Sequence, residues 1–267
     1  MPVPADPRLF LFAGPTLAAS PRAHTLAKAF RVRPPVKRFD VEKLVETRGR
    51  PGVLVIVDGV FHDTLAVGHA ELRDALRRGW QVWGLSSMGA IRAREMAPLG
   101  MRGFGRVYER FEESGDFQDD EVALLHEPTP PYRALTEPLV HLRAAIAHLV
   151  DACIVETEHA ESVVRDLKSR WYGERTRRGT IDALGERARG GVRAVRGELG
   201  DFARFAWKTR DLEDFADGRV WERVDGSGAR DGAGGIGARE QKEGEPAGRR
   251  SRGVRTEAEN GTCKTEG

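Results

Sequence analysis

The chain has 267 residues, with 43 Lys plus Arg against 41 Asp plus Glu, so its net charge is only +2. That balance gives no overall attraction to nucleic acid or to an anionic membrane. No stretch approaches the roughly 18 apolar residues of a membrane span. The two cysteines, Cys153 and Cys263, make neither a disulfide framework nor a thiolate metal site, and no basic-then-apolar signal segment opens the chain. A cytoplasmic protein of one good-sized domain plus appendages is expected.

Leu9 to Ala13 is a continuous apolar run closed by Gly14-Pro15 and reads as a buried central strand. A short helix is predicted over Pro21–Phe30, with Ser20 as its cap. Val32 to Asp40 contains Pro34-Pro35 and reads as an extended loop carrying Lys37 and Arg38. One or two helical turns follow over Val41–Thr47. Val53–Val57 is the strongest strand, ending in the turn signal Asp58-Gly59. A helix over His69–Arg78 is closed by Gly79, and Trp80–Leu85 reads as a third strand. Alternation of strands and helices at this spacing predicts an α/β fold with a mostly parallel sheet and flanking helices.

Gly100–Gly105 reads as a loop and Arg106–Glu113 as a helix. The acidic run Asp116–Glu121 reads as a solvated loop. Thr136 is the expected cap of a helix from Glu137 to about Cys153. Further helices are expected over Glu158–Tyr172 and Asp201–Asp217, with a weaker one around Thr180–Arg196. Beyond about Asp225 large apolar residues nearly vanish, and 11 of the chain's 31 glycines lie there. Such a segment cannot bury enough surface to offset its ordering entropy. The expected organisation is an α/β core over 8–150, a helical extension over 151–222 and a disordered tail over 223–267.

The stretch Gly84-Leu85-Ser86-Ser87-Met88-Gly89-Ala90 joins a strand to a helix. Helix-start N–H groups lack intrahelical partners, and the dipole there is positive, so the position suits an anion or an oxyanion. Ser87 reads either as a nucleophile or simply as an N-cap. Seven histidines offer no distinguishing spacing, and a lysine lowered by burial can serve as base instead. Lys37, held by Pro34-Pro35, is the preferred candidate; its alternative is an ordinary solvated lysine. Asp58 is a site residue or a turn former. Metal-ligand and nucleotide-binding patterns are lacking, so no metal and no cofactor are expected.

Taken together, Val55-Ile56-Val57-Asp58-Gly59-Val60-Phe61, Gly84 to Ala93, Asp119-Asp120-Glu121-Val122-Ala123 and Tyr132-Arg133 resemble the TfuA-like family. Gly14-Pro15 and Pro34-Pro35-Val36-Lys37-Arg38 fit the same order, and the likeness spans about 8–150. The resemblance implies a partner of a YcaO enzyme in backbone thioamidation of ribosomally made peptides or proteins. It implies hydrolysis of the thiocarboxylated C-terminus of a ThiS-like sulfur carrier, with a precursor peptide engaged through YcaO, and neither nucleic acid nor membrane as partner. A Ser–Lys pair, carried over, falls on Ser87 and Lys37, with Met88 and Gly89 N–H groups at the oxyanion. Gly14, Asp58, Gly59, Phe61 and Arg92 are the implied substrate contacts. Phe39-Asp40 stands where Gly-Asp is expected, and Gly-Leu-Ser replaces Gly-Ala-Ser or Gly-Ala-Ala. A non-catalytic adaptor for YcaO and its peptide is the alternative from another class, and a Ser/Lys amidohydrolase acting alone is a third.

Overall fold

A computed structural model describes residues 8–60, 64–113 and 118–223. Phe61 and the tail beyond Arg223 lie outside the described residues.

Five parallel strands form one sheet: β1 (Leu9–Phe12), β2 (Arg31–Arg33), β3 (Val53–Ile56), β4 (Gln81–Leu85) and β5 (Arg102–Phe104), in the order β2-β1-β3-β4-β5. The apolar runs are continuous because both faces are covered. Residues alternate cleanly between the two sides. Phe10, Phe12, Leu54, Ile56 and Val82 face a layer made by α3 (Asp40–Thr47), α4 (His69–Arg77) and α5 (Met88–Met96). Leu9, Leu11, Val55, Trp83 and Leu85 face α1 (Pro15–Ala18), α2 (Ala23–Ala29) and α11 (Trp207–Asp217). On that side Phe215 stacks edge-on to Trp83 and Phe104, each with centroids 5.5 Å apart. Burying an aromatic side chain this fully contributes about 1.5–3 kcal/mol.

The two outer strands, β2 and β5, stand where the sequence reads as loop. Each has three residues and pairs on one side only. Arg31-Val32-Arg33 and Arg102-Gly103-Phe104 therefore need no apolar run, and charged edge strands resist edge-to-edge association.

After α6 (Arg106–Glu113), α7 (Leu139–Asp151), α8 (Thr157–Ser169), α9 (Arg177–Gly185) and α10 (Gly191–Glu198) share a second core that includes Leu142, Ile146, Leu149, Val163 and Leu184. The chain then makes a 3₁₀ turn at Phe202–Phe205 before α11 returns to the sheet. A single compact unit runs to Arg223, so the helical extension is continuous with the α/β core. The helix expected to begin at Glu137 begins at Leu139, because Pro138 occupies its N-cap. Thr136 does not cap it; its hydroxyl accepts the Leu125 N–H at 2.9 Å.

The acidic run is not solvated throughout. Asp119–Glu121 is a 3₁₀ turn in which Glu121 is 1% exposed. Arg143 grips the Glu121 carboxylate with three hydrogen bonds of 2.8–3.1 Å. Arg175, itself buried, holds the Asp120 carbonyl at 2.8 Å and its carboxylate at 2.7 Å. No helix among the described residues is long and apolar enough to cross a membrane.

Candidate functional site

In an open parallel sheet the strand C-termini share one edge, and ligands bind where the strand order reverses. Here the reversal falls between β1 and β3, so Gly14 and Asp58 leave the sheet side by side. Asp58 stitches the two exits together. One carboxylate oxygen accepts the Gly14 N–H at 2.8 Å and the Thr16 N–H at 2.9 Å, and the other accepts the Thr16 hydroxyl at 2.6 Å. Gly14 begins α1, and Asp58 thereby satisfies the unpaired N–H groups of that short helix.

The next exit is β4. Ser86 has a φ of +67°, in the left-handed region that side chains avoid. The Ser87 N–H bonds the Leu85 carbonyl at 2.7 Å and closes the turn. Close contact beneath it explains both glycines. A Cβ on Gly84 would lie 2.0 Å from the Gly89 carbonyl oxygen, and one on Gly89 would lie 1.8 Å from that of Ile56. Strand and helix backbones touch, and this fixes the first turn of α5 over the sheet edge.

Ser87 occupies the N-cap of α5, yet its side chain makes no capping hydrogen bond. The N-cap reading therefore does not account for its hydroxyl. Ser87 is 3% exposed and lines a cavity of about 340 Å³ together with Asp58, Gly59, Val122, His126 and Lys208. Among the described residues the Met88 N–H has no acceptor, whereas the Gly89 N–H donates to the Val57 carbonyl at 3.2 Å. Of the two expected oxyanion donors, the geometry leaves Met88 available and spends Gly89 on the sheet.

The amine that shares this cavity comes from α11. Lys208 is 2% exposed, and its Nζ donates to the Val122 carbonyl at 3.0 Å and stands 4.0 Å from Asp58 Oδ1. Burial pushes this amine below the usual lysine value, against the opposing pull of Asp58 and Glu137. Its backbone is pinned on both sides. The buried Ser86 hydroxyl donates to the Lys208 carbonyl at 2.7 Å. The Lys208 N–H donates to His141 Nε2 at 3.2 Å, which places the ring proton on Nδ1, 3.3 Å from Glu137 Oε2. Burial lowers the His141 pKa as well, with Glu137 opposing, so the ring is neutral and can accept.

Lys37 is exposed and lines a neighbouring cleft of about 750 Å³ rather than the Ser87 cavity. Arg92 points elsewhere, to the Val67 carbonyl at 3.0 Å and the Glu95 carboxylate at 2.6 Å. Gly59 lines the cavity, but its lack of a side chain serves packing: a Cβ there would lie 2.6 Å from Met88 Cγ. Gly14 stands at the β1 exit against Pro35. The sequence carried a signal for Lys208, since Lys208, Asp211, Leu212 and Phe215 are spaced as one helical face and all are buried.

No curated protein matches the chain. Residues 58–176 match the model of a family described as TfuA-like protein. Apart from Pro15 and Lys208, every residue lining the Ser87 cavity falls inside that match. The family is associated with YcaO enzymes. Over residues 58–176, a little under half of its length, the chain is similar to the TfuA-like family.

Proposed function

We propose that this protein works with a YcaO enzyme in peptide or protein backbone thioamidation by hydrolysing the thiocarboxylated C-terminus of a ThiS-like sulfur carrier. One observation carries the reading: the Ser87 hydroxyl, free of any capping bond, lines a cavity with a buried lysine whose pKa is lowered. Lys208 takes the role that the resemblance first suggested for Lys37. Neutral Lys208 removes the Ser87 proton as the oxygen attacks the thiocarboxylate carbon. The Met88 N–H, at the positive end of α5, holds the developing oxyanion. The carbon–sulfur bond then breaks and the proton leaves with sulfur as hydrosulfide. Water attacks the acyl-serine ester, its proton passes to Ser87 through Lys208, and the carrier departs as a carboxylate. Asp58 and His141 hold the machinery in place without entering the reaction.

The test is sulfide release from a thiocarboxylated carrier by wild type, Ser87→Ala, Lys208→Met and Lys37→Ala, with circular dichroism to verify folding. Loss of a nucleophile or general base should lower kcat by about 10²–10⁴-fold in the first two variants. Lys37→Ala should act on KM rather than kcat. Because Lys208 must be neutral to act, kcat should rise with pH through a value below the ordinary lysine pKa of about 10.4. If folded Ser87→Ala matches wild type, the protein is an adaptor; if Lys208→Met matches it, Lys208 is not the base.

A further inference from the structure

The 750 Å³ cleft at the C-terminal ends of β1, β2 and β3 adjoins the Ser87 cavity, and the two share Val60, His126 and Pro128 as a common wall. Its charge is one-sided. Arg33, Lys37 and Lys43 line it, and among the described residues none of the three forms an ion pair. The one carboxylate in the lining, Asp40, is engaged by the Lys37 backbone N–H at 3.0 Å. His126, edge-on to Tyr132 at 5.9 Å between ring centroids, forms part of the sill between the two spaces. The inner cavity is less than half the size of the outer cleft, so it suits a small terminal residue, while the cleft suits the chain that leads to it.

We infer that this cleft is a docking groove for the acidic C-terminal segment of the protein whose end reaches Ser87, gripped by Arg33, Lys37 and Lys43. The inference rests on the hydrolase reading for the identity of that end, but not for the binding itself. Three cations without an ion pair among the described residues, beside the mouth of a buried site, attract a chain bearing carboxylates and orient its terminus inward. Exposed side chains are well suited to this task. They lose little on pairing, and their attraction is strongly dependent on salt.

The experiment is fluorescence anisotropy on the full chain with two fluorescein-labelled hexapeptides that end in Gly. One carries two Glu residues upstream of the terminus, and the other carries Gln in their place. Wild type should bind the Glu peptide about tenfold or more tightly than the Gln peptide in 50 mM salt, and the difference should shrink severalfold at 500 mM. The double variant Lys37→Glu/Lys43→Glu should abolish the preference, and Lys37→Arg/Lys43→Arg should keep it. Equal binding of the two peptides by wild type overturns the inference, as does a preference that survives the double reversal. Ser87→Ala, assayed alongside, should bind the Glu peptide like wild type while releasing no sulfide from a thiocarboxylated carrier. If it still releases sulfide, the hydrolase reading fails while the groove stands or falls on the anisotropy alone.

Discussion

Ser86 and Ser87 are neighbours in sequence with opposite duties, and replacing each by Ala should separate stability from chemistry. The Ser86 hydroxyl is completely buried and donates a 2.7 Å hydrogen bond to the Lys208 carbonyl. Ser86→Ala removes that buried hydrogen bond while the carbonyl keeps its place in the α11 helical ladder, at a cost of about 1 kcal/mol. The left-handed backbone at this position is equally strained for Ala, so it adds nothing. In a domain of this size 1 kcal/mol lowers Tm by roughly 2–4 °C. Ser87→Ala removes a hydroxyl that makes no capping bond, so its stability should stay within about 0.5 kcal/mol of wild type. Thermal and urea unfolding followed by circular dichroism give the two stabilities, and sulfide release from a thiocarboxylated carrier gives the activity. The reasoning is refuted if both variants lose the same Tm, or if Ser86→Ala loses none.

Gly89→Ala places a Cβ 1.8 Å from the Ile56 carbonyl oxygen, a backbone atom that cannot swing aside. It should destabilise by about 3 kcal/mol or more, and a Tm within about 2 °C of wild type contradicts the close contact of α5 and β3. Burial raises the Asp211 carboxyl to about 7, despite accepting the Arg106 and Val107 N–H groups. The folded chain thus holds this proton more tightly than the unfolded one. The stability it contributes is fully present below about pH 4 and is lost as pH rises through about 7, worth at most ~4 kcal/mol. Asp211→Asn should flatten that loss in urea titrations between pH 4 and 7, and an unchanged slope rules it out.

The central strands were legible because burial on both faces demands unbroken apolar runs, as in Leu9–Phe12 and Val53–Ile56. The edge strands were not, because a three-residue strand paired on one side makes no such demand. The serine turn was legible from its glycines and its position between strand and helix. What it recruits was not: Ser86 and Lys208 are 122 residues apart, and no local pattern links them. Lys208 sits inside the helix expected over Asp201–Asp217, but only α11 laid across the sheet shows which face is buried, with Lys208 beside Leu212 and Phe215 on it. Met88 and Gly89 looked equivalent as donors for a similar reason. Only the seating of α5 against β3 shows that the Val57 carbonyl has already taken the Gly89 N–H.

The return of α11 to the sheet has a consequence for the order of events in the cell. The serine turn leaves the ribosome long before the helix that brings Lys208 into its cavity. At about 5–20 residues per second, a separation of 122 residues is roughly 6–24 s of synthesis. Throughout that interval Ser87 stands beside an unfinished pocket. On the mechanism proposed above, a chain that stalls early, or is clipped ahead of Trp207, presents the serine without its base. Seating the last helix is then a completion check on the Ser87 cavity itself, since Lys208 closes one of its walls.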